Sequence, residues 1–163
     1  MISYLNSRRI LNKGKIKIKN ETILSVNSLN RVCSKNIYAK FNYPSGDNAA
    51  FDGYAINSND TKNLNRNKSK AFKIIGSISA GKKPLNKRIN KFEAVEIMTG
   101  GIIPKGFDTI IPIEQIIFYP DKKNHKFIVI NKKIDKYKLQ RFAGSKFKKK
   151  ELVIKKNTLI LPN

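Results

Sequence analysis

Two short polar loops in this sequence combine residue types that could do chemistry. The first lies within Asp47-Asn48-Ala49-Ala50-Phe51-Asp52-Gly53-Tyr54-Ala55, and the second is Thr99-Gly100-Gly101, directly after the apolar run Ala94-Val95-Glu96-Ile97-Met98. Two carboxylates and a side-chain amide, on a loop entered through Pro44-Ser45-Gly46, could hold Mg²⁺ through oxygen ligands or orient an oxyanion substrate. In the second loop, glycines let backbone N–H groups approach an anion, and the Thr99 hydroxyl adds one more donor. Both loops also have plainer readings. Asp-Gly between apolar neighbours is a strong hairpin-turn signal, and a Gly pair after a strand often serves only to allow positive φ. Neither is a P-loop, since no Gly-Lys-Ser/Thr follows.

Other chemistries are narrowed by counting. The single cysteine, Cys33, can make no internal disulfide and sits with Leu29 and Val32 at helix-like spacing, as a packing residue would. The single histidine, His125, lies between Asn124 and Lys126 with no second His or Cys nearby to complete a metal set, and reads as a solvated loop residue. No Ser-His-Asp or Cys-His constellation can be assembled, which argues against nucleophilic acyl transfer.

The formal charge of +23, from 34 basic and 11 acidic residues, invites a nucleic-acid reading because clustered cations displace counterions from phosphate backbones. The kind of cation argues against it. Arginine, the planar bidentate donor, occurs only at positions 8, 9, 31, 66, 88 and 141. Lys, Asn and Ile dominate together, and all three have A/T-rich codons. The Phe and Tyr residues fall mostly in strand-like positions where core use is expected, so stacking platforms for single strands are not anticipated. Nucleic acid is therefore disfavoured as a partner, although the positive field would concentrate a small anion within a Debye length of about 8 Å.

A chain of 163 residues can bury about two-thirds of its unfolded surface, enough for one ordinary domain or two small lobes. No apolar run approaches the roughly 18 residues that span a bilayer, so no membrane is expected. The first residues lack the continuous apolar stretch of a secretory signal, and a cytoplasmic location is expected. Ile2, Leu5, Ile10 and Leu11 predict one short helix, and Val26, Leu29, Val32 and Cys33 a second, capped by Ser25 or Asn27. From Ile37 onward the pattern is extended. Strands are predicted at 53–56, 72–75, 94–98, 109–113, 116–119, 127–130 and 152–154, where β-branched and aromatic residues concentrate. Turn residues separate them at Ser79-Ala80-Gly81, Pro104-Lys105-Gly106, Asp121 to Asn124 and Lys155-Lys156-Asn157. Thr61 to Lys70, rich in Asn and Lys, reads as a flexible loop or insertion. The fold class is thus mainly β with a few short helices (α+β), arranged as a barrel or coiled sheet. An apolar run at the C-terminus, Thr158-Leu159-Ile160-Leu161-Pro162, suggests that further chain normally follows.

In this order, the loops resemble the N-terminal region of the molybdopterin molybdotransferase (MoeA) family, to which the E domain of gephyrin belongs. Asp47 to Ala55 resembles the family's D-N-S-A-M-D-G-Y-A, Ala94 to Gly101 its A-V-R-I-M-T-G-A, and Pro104 to Ile111 its P-x-G-A-D-T-V-V, followed by Glu114. Agreement extends from Ile2-Ser3-Tyr4 through Leu29-Asn30-Arg31-Val32, Ile37-Tyr38-Ala39, Gly76 and Ala80-Gly81. The resemblance implies an elongated linker lobe built from residues 1–40 and 139–163 around a β-rich, barrel-like lobe at 41–138. A molybdopterin-binding domain would follow Pro162, so the chain is not expected to catalyse alone.

The implied activity is insertion of molybdenum, from molybdate, into adenylylated molybdopterin, with release of AMP and assistance from Mg²⁺. Asp52 and Thr99 would be catalytic, and Asn48, Gly53, Tyr54, Gly100 and Arg141 would contact substrate; which residues would touch the metal is left open. The implied assembly is a homodimer, or a pairing with a separate C-terminal chain. One departure concerns the family's R-x-x-G-E-D motif, where Arg141-Phe142-Ala143-Gly144 is followed by Ser145-Lys146 in place of the acidic pair. That change, with the domain expected beyond Pro162, leaves open an alternative: a catalytically idle dimerisation or scaffold module of the same family.

Overall fold

The computed structural model describes residues 1–14 and 18–162. Its elements in chain order are the helix α1 (Tyr4–Lys13) and the strands β1 (Ile37–Tyr38), β2 (Asn48–Ala49), β3 (Gly53–Ile56), β4 (Lys70–Ile78), β5 (Glu93–Ile97), β6 (Thr109–Pro112), β7 (Ile117–Tyr119), β8 (Phe127–Ile130), β9 (Gln140–Arg141) and β10 (Leu152–Ile154). Short 3₁₀ turns occupy Ser25–Asn27, Ser58–Thr61 and Ile113–Gln115. The chain divides into two units, Met1–Ile37 with Leu152–Asn163, and Tyr38–Glu151. No helix among the described residues is long and apolar enough to cross a membrane.

In the first unit, α1 forms where its apolar spacing predicts. Ser3 caps it by accepting the Asn6 N–H, and the Gly14 N–H closes the last turn on the carbonyls of Ile10 and Leu11. No residue of α1 is buried, so the stripe that includes Leu5, Ile10 and Leu11 faces outward. The second expected helix does not form. Only Ser25–Asn27 turns, with Leu24 and not Ser25 or Asn27 at the cap position, and Asn30 takes a left-handed φ of 61°. Beyond it the backbone bonds run to the other end of the chain: Asn30 N–H to Ile160 O, Cys33 N–H to Thr158 O, and Ile160 N–H back to Arg31 O. Val32 bridges Leu159 in antiparallel fashion, so a spacing that fits a helix is used in an extended ladder. Cys33 is buried in it, as a packing residue.

The second unit is built on a curled six-stranded half-barrel sheet of order β6-β3-β5-β4-β8-β7, antiparallel except for the β4–β5 pair. This is the mainly β, barrel-like class that the sequence predicts. β3 is buried along its whole length, as expected for a strand covered on both faces. Alternation splits its side chains: Tyr54 and Ile56 enter one core with Phe72, Ile111 and Ile128, while Ala55 enters the other with Val95, Ile97 and Ile110. β4 bulges between Ile74 and Ser77 where it passes β5, a place where a strand bends and twists more strongly.

Three local expectations are corrected here. The segment from Thr61 is anchored at its start, because Thr61 is fully buried, donates to Ser58 O at 2.8 Å and accepts the Ile134 N–H at 2.9 Å, while Leu64 joins the core. His125 is not a free loop residue. Its Nε2 lies 3.1 Å from the Tyr54 hydroxyl, its Nδ1 2.8 Å from Lys122 O, and its ring 4.5 Å from that of Phe118. Finally, many aromatic side chains expected in the core are exposed, among them Phe41, Tyr43, Phe51, Tyr119, Tyr137, Phe142 and Phe147.

Candidate functional site

Antiparallel pairing of β3 with β5 sets Gly53 opposite Ile97. Asp52, just before β3, is thereby brought beside Met98 and Thr99, just after β5. Asp52 Oδ1 accepts two hydrogen bonds from Thr99, one from its N–H at 2.6 Å and one from its Oγ1 at 2.7 Å. The Thr99 hydroxyl first, and its N–H second, hold the Asp52 carboxyl below the usual carboxylate range, outweighing the opposing effect of desolvation. Both residues are exposed, and Oδ2 accepts no hydrogen bond from the described residues. Asp52 therefore presents an ionised, oriented oxygen at the surface.

Gly53 is not a hairpin residue. It opens β3 between two strands, and a Cβ there would lie 2.0 Å from Ile111 O, so only glycine lets β6 approach. Gly100 supplies the left-handed φ of 83° that turns the chain after Thr99.

The glycine loop does not hold its amides open for an anion, as its composition suggested it could. The Thr99 N–H goes to Asp52, the Gly100 N–H to Ala49 O at 2.9 Å, and the Gly101 N–H to Met98 O at 2.8 Å. The Gly100 bond, with Ala49 N–H donating to Gly101 O, instead ties the loop to β2. β2 in turn pairs with β9, setting Asn48 opposite Arg141, and Asp47 Oδ1 accepts the Ala143 N–H at 2.8 Å.

One connected backbone framework thus carries Asp52, Gly53, Thr99, Gly100, Asn48 and Arg141. Arg141 is exposed, and Asn48 is half-buried with its Oδ1 enclosed and unpartnered, an arrangement that is rare for a buried carbonyl oxygen. Tyr54 departs from its expected place at a substrate. Its side chain is 1% exposed and its hydroxyl is engaged with His125; burial first, and the charge of Glu96 second, push its phenol up to about 12.

Nothing in the sequence signalled the β2–β9 pair or the Asp47 bond to Ala143, because both join segments far apart along the chain. Among the described residues no group of three His, Cys, Asp or Glu could hold a metal ion. The two acidic residues of the first loop are each tied to a different N–H donor, Asp47 to Ala143 and Asp52 to Thr99.

The family defined as the MoeA N-terminal region (domain I and II) matches residues 2–163. The chain belongs to the MoeA N-terminal family. A molybdopterin molybdenumtransferase of Staphylococcus aureus (strain Mu50) is 33% identical over 141 residues, covering 86% of this chain and 32% of that relative. One from Staphylococcus epidermidis (strain ATCC 12228) is 34% identical over 110 residues, covering 68% of this chain and 26% of the relative. Two crystal structures of the Pyrococcus horikoshii molybdopterin biosynthesis moeA protein superpose at TM-scores of 0.76 and 0.78, each at 27% identity. They cover 87% and 94% of this chain, and 36% and 38% of the structures' own chains. This MoeA N-terminal chain therefore spans about a third of the length of such relatives.

Proposed function

We propose that this chain is the N-terminal part of a molybdopterin molybdenumtransferase, and that Asp52, oriented by Thr99, forms one wall of the place where molybdenum passes from molybdate to adenylylated molybdopterin. The single observation that carries this reading is the double hydrogen bond from Thr99 to one oxygen of Asp52, which leaves the other oxygen open and ionised. A carboxylate held in that state accepts hydrogen bonds or ligates a cation; it neither donates a proton nor attracts an oxyanion. Asp52 thus contacts a donor on the pterin or a cation, and the positive side chain of Arg141 suits the anionic parts of the substrates.

Mg²⁺, where the family relationship implies it, would supply positive charge against phosphate oxygens. In this reading Asp52 Oδ2 would be its ligand from this chain. A single carboxylate suits Mg²⁺, which commonly takes its remaining ligands from water and phosphate.

The remainder of the site, in this reading, belongs to a molybdopterin-binding region supplied by a second chain or by further sequence, in a cytoplasmic homodimer or an assembly of two different chains. A second reading, an idle scaffold module, is favoured by Lys146 standing where the resemblance expects a carboxylate. The two are separated by mixing this chain with the C-terminal two-thirds of a close relative and assaying molybdenum insertion. Activity in the mixture, absent from either part alone, supports the first reading. Stable association without activity supports the second.

A further inference from the structure

Residues 38–50 and 139–151 run antiparallel as an irregular ribbon within the second unit. Lys150 N–H donates to Ala39 O, Lys149 N–H to Asn42 Oδ1, Tyr43 N–H to Phe147 O, Gly144 N–H to Pro44 O and Ala50 N–H to Leu139 O, all at 2.8–2.9 Å. This ribbon holds exposed aromatic rings beside unpaired cations. Phe41 and Tyr43 are 66% and 59% exposed, Phe147 crosses from Tyr43 on the opposing segment, and Phe142 packs edge-on against Tyr137 with centroids 5.5 Å apart. Lys40, Arg141, Lys146, Lys148, Lys149 and Lys150 are all exposed on it.

Its two acids make no ion pair with these six cations. Asp47 accepts the Ala143 N–H and Glu151 the Lys148 N–H, and the one ion pair among the described residues, Arg31 with Glu21, lies outside the ribbon.

We infer that this ribbon binds single-stranded nucleic acid with little sequence preference. Cations track a phosphate backbone, and rings stack on bases regardless of identity because every base has a π-face. Lysine is depleted at protein–protein interfaces, so a lysine-rich aromatic strip suits a polyanion better than a protein face. The scarcity of arginine, which weakens any case for base readout, is no obstacle to backbone and stacking contacts. The inference shares Arg141 with the proposed transferase site, and its test rests on other side chains of the ribbon.

The test is fluorescence anisotropy of the full chain with labelled oligouridine of about 16 nucleotides, across about 50 to 200 mM salt. Engagement of the ribbon's cations predicts a slope of log K against log salt of about −4, and Lys148→Gln with Lys149→Gln should flatten it by about 1.4. Charge-matched Lys122→Gln with Lys123→Gln, in the β7–β8 turn, should leave the slope near that of the unmodified chain. Phe41→Ala with Tyr43→Ala, which changes no charge, should weaken binding at least about tenfold. Tyr137→Ala with Phe142→Ala gives an independent reading should the first pair fail to fold by circular dichroism. Absence of binding at the lowest salt, equal loss from both lysine pairs, or aromatic variants that fold and bind like the unmodified chain would each overturn the inference.

Discussion

Asp52 Oδ1 accepts both the amide and the hydroxyl hydrogen of Thr99, at 2.6 and 2.7 Å, and so fixes the carboxylate that opens β3 to the loop that closes β5. The bond survives exposure to solvent because the Gly53–Ile97 register already holds the two backbones side by side. Little further entropy is lost in forming it.

Thr99→Val should raise the Asp52 pKa toward the ordinary carboxylate value of 3.8, because the largest cause of its depression is removed while the backbone bond remains. Carboxyl ¹³C shifts followed by pH titration report this directly. Thr99→Ser should restore the depressed value. A depressed folded-state pKa stabilises the fold above the ordinary carboxylate range, and that contribution disappears as pH falls through the folded-state value. Thr99→Val should therefore show a shallower loss of stability on acidification. An unchanged titration would show that Thr99 does not orient Asp52.

Gly53→Ala should destabilise the second unit by about 3 kcal/mol, the upper part of the range for overpacking, since the new methyl meets Ile111 backbone that cannot move without breaking β3–β6. Gly81→Ala provides the contrast. Nothing lies within 4 Å of its Cβ position, so only the positive φ of 76° opposes it, at a cost of about 1 kcal/mol. Urea denaturation of the two variants should rank them in that order.

Tyr54 should titrate near 12 in an ultraviolet pH titration, and Tyr54→Phe should remove that component. Its folded-state value is raised above the unfolded value of about 10, so the associated stability is complete below pH 10 and declines as pH rises toward 12. Tyr54→Phe should abolish that alkaline decline. It also leaves His125 Nε2 without its partner, at a cost of about 1 kcal/mol at neutral pH.

Asp108→Ala should cost about 2 kcal/mol, because Asp108 accepts both the N–H and the hydroxyl of Ser58, at 2.7 and 3.0 Å, in a partly buried setting. Thermal melts of this variant and of Asp121→Ala should differ. Asp121 caps only its own exposed turn, through Lys123 and Asn124 N–H.

Much of the fold was legible because its strands are signalled locally. The β-branched and aromatic runs at Gly53–Ile56, Phe127–Ile130 and Leu152–Ile154 match β3, β8 and β10 at both ends. β2 and β9 escaped notice because Asn48–Ala49 and Gln140–Arg141 have no strand-forming composition and are held by partners far along the chain. The spacing of Val26, Leu29 and Val32 misled for a related reason: the partners that hold residues 31–33 extended lie at 157–160. At the candidate site, Asp52 and Thr99 stand out as residue types beside glycines, whereas their bond depends on strand register. The burial of Tyr54 was missed because β3 is covered on both faces, so every side chain of the strand enters a core while Asp52, just before it, stays exposed.

The most direct test is molybdenum insertion by the chain paired with a complementary molybdopterin-binding region, comparing the unmodified protein with Asp52→Ala. A loss of about a hundredfold or more, with the assembly intact, is the predicted result. Full insertion activity in the Asp52→Ala assembly would contradict the account.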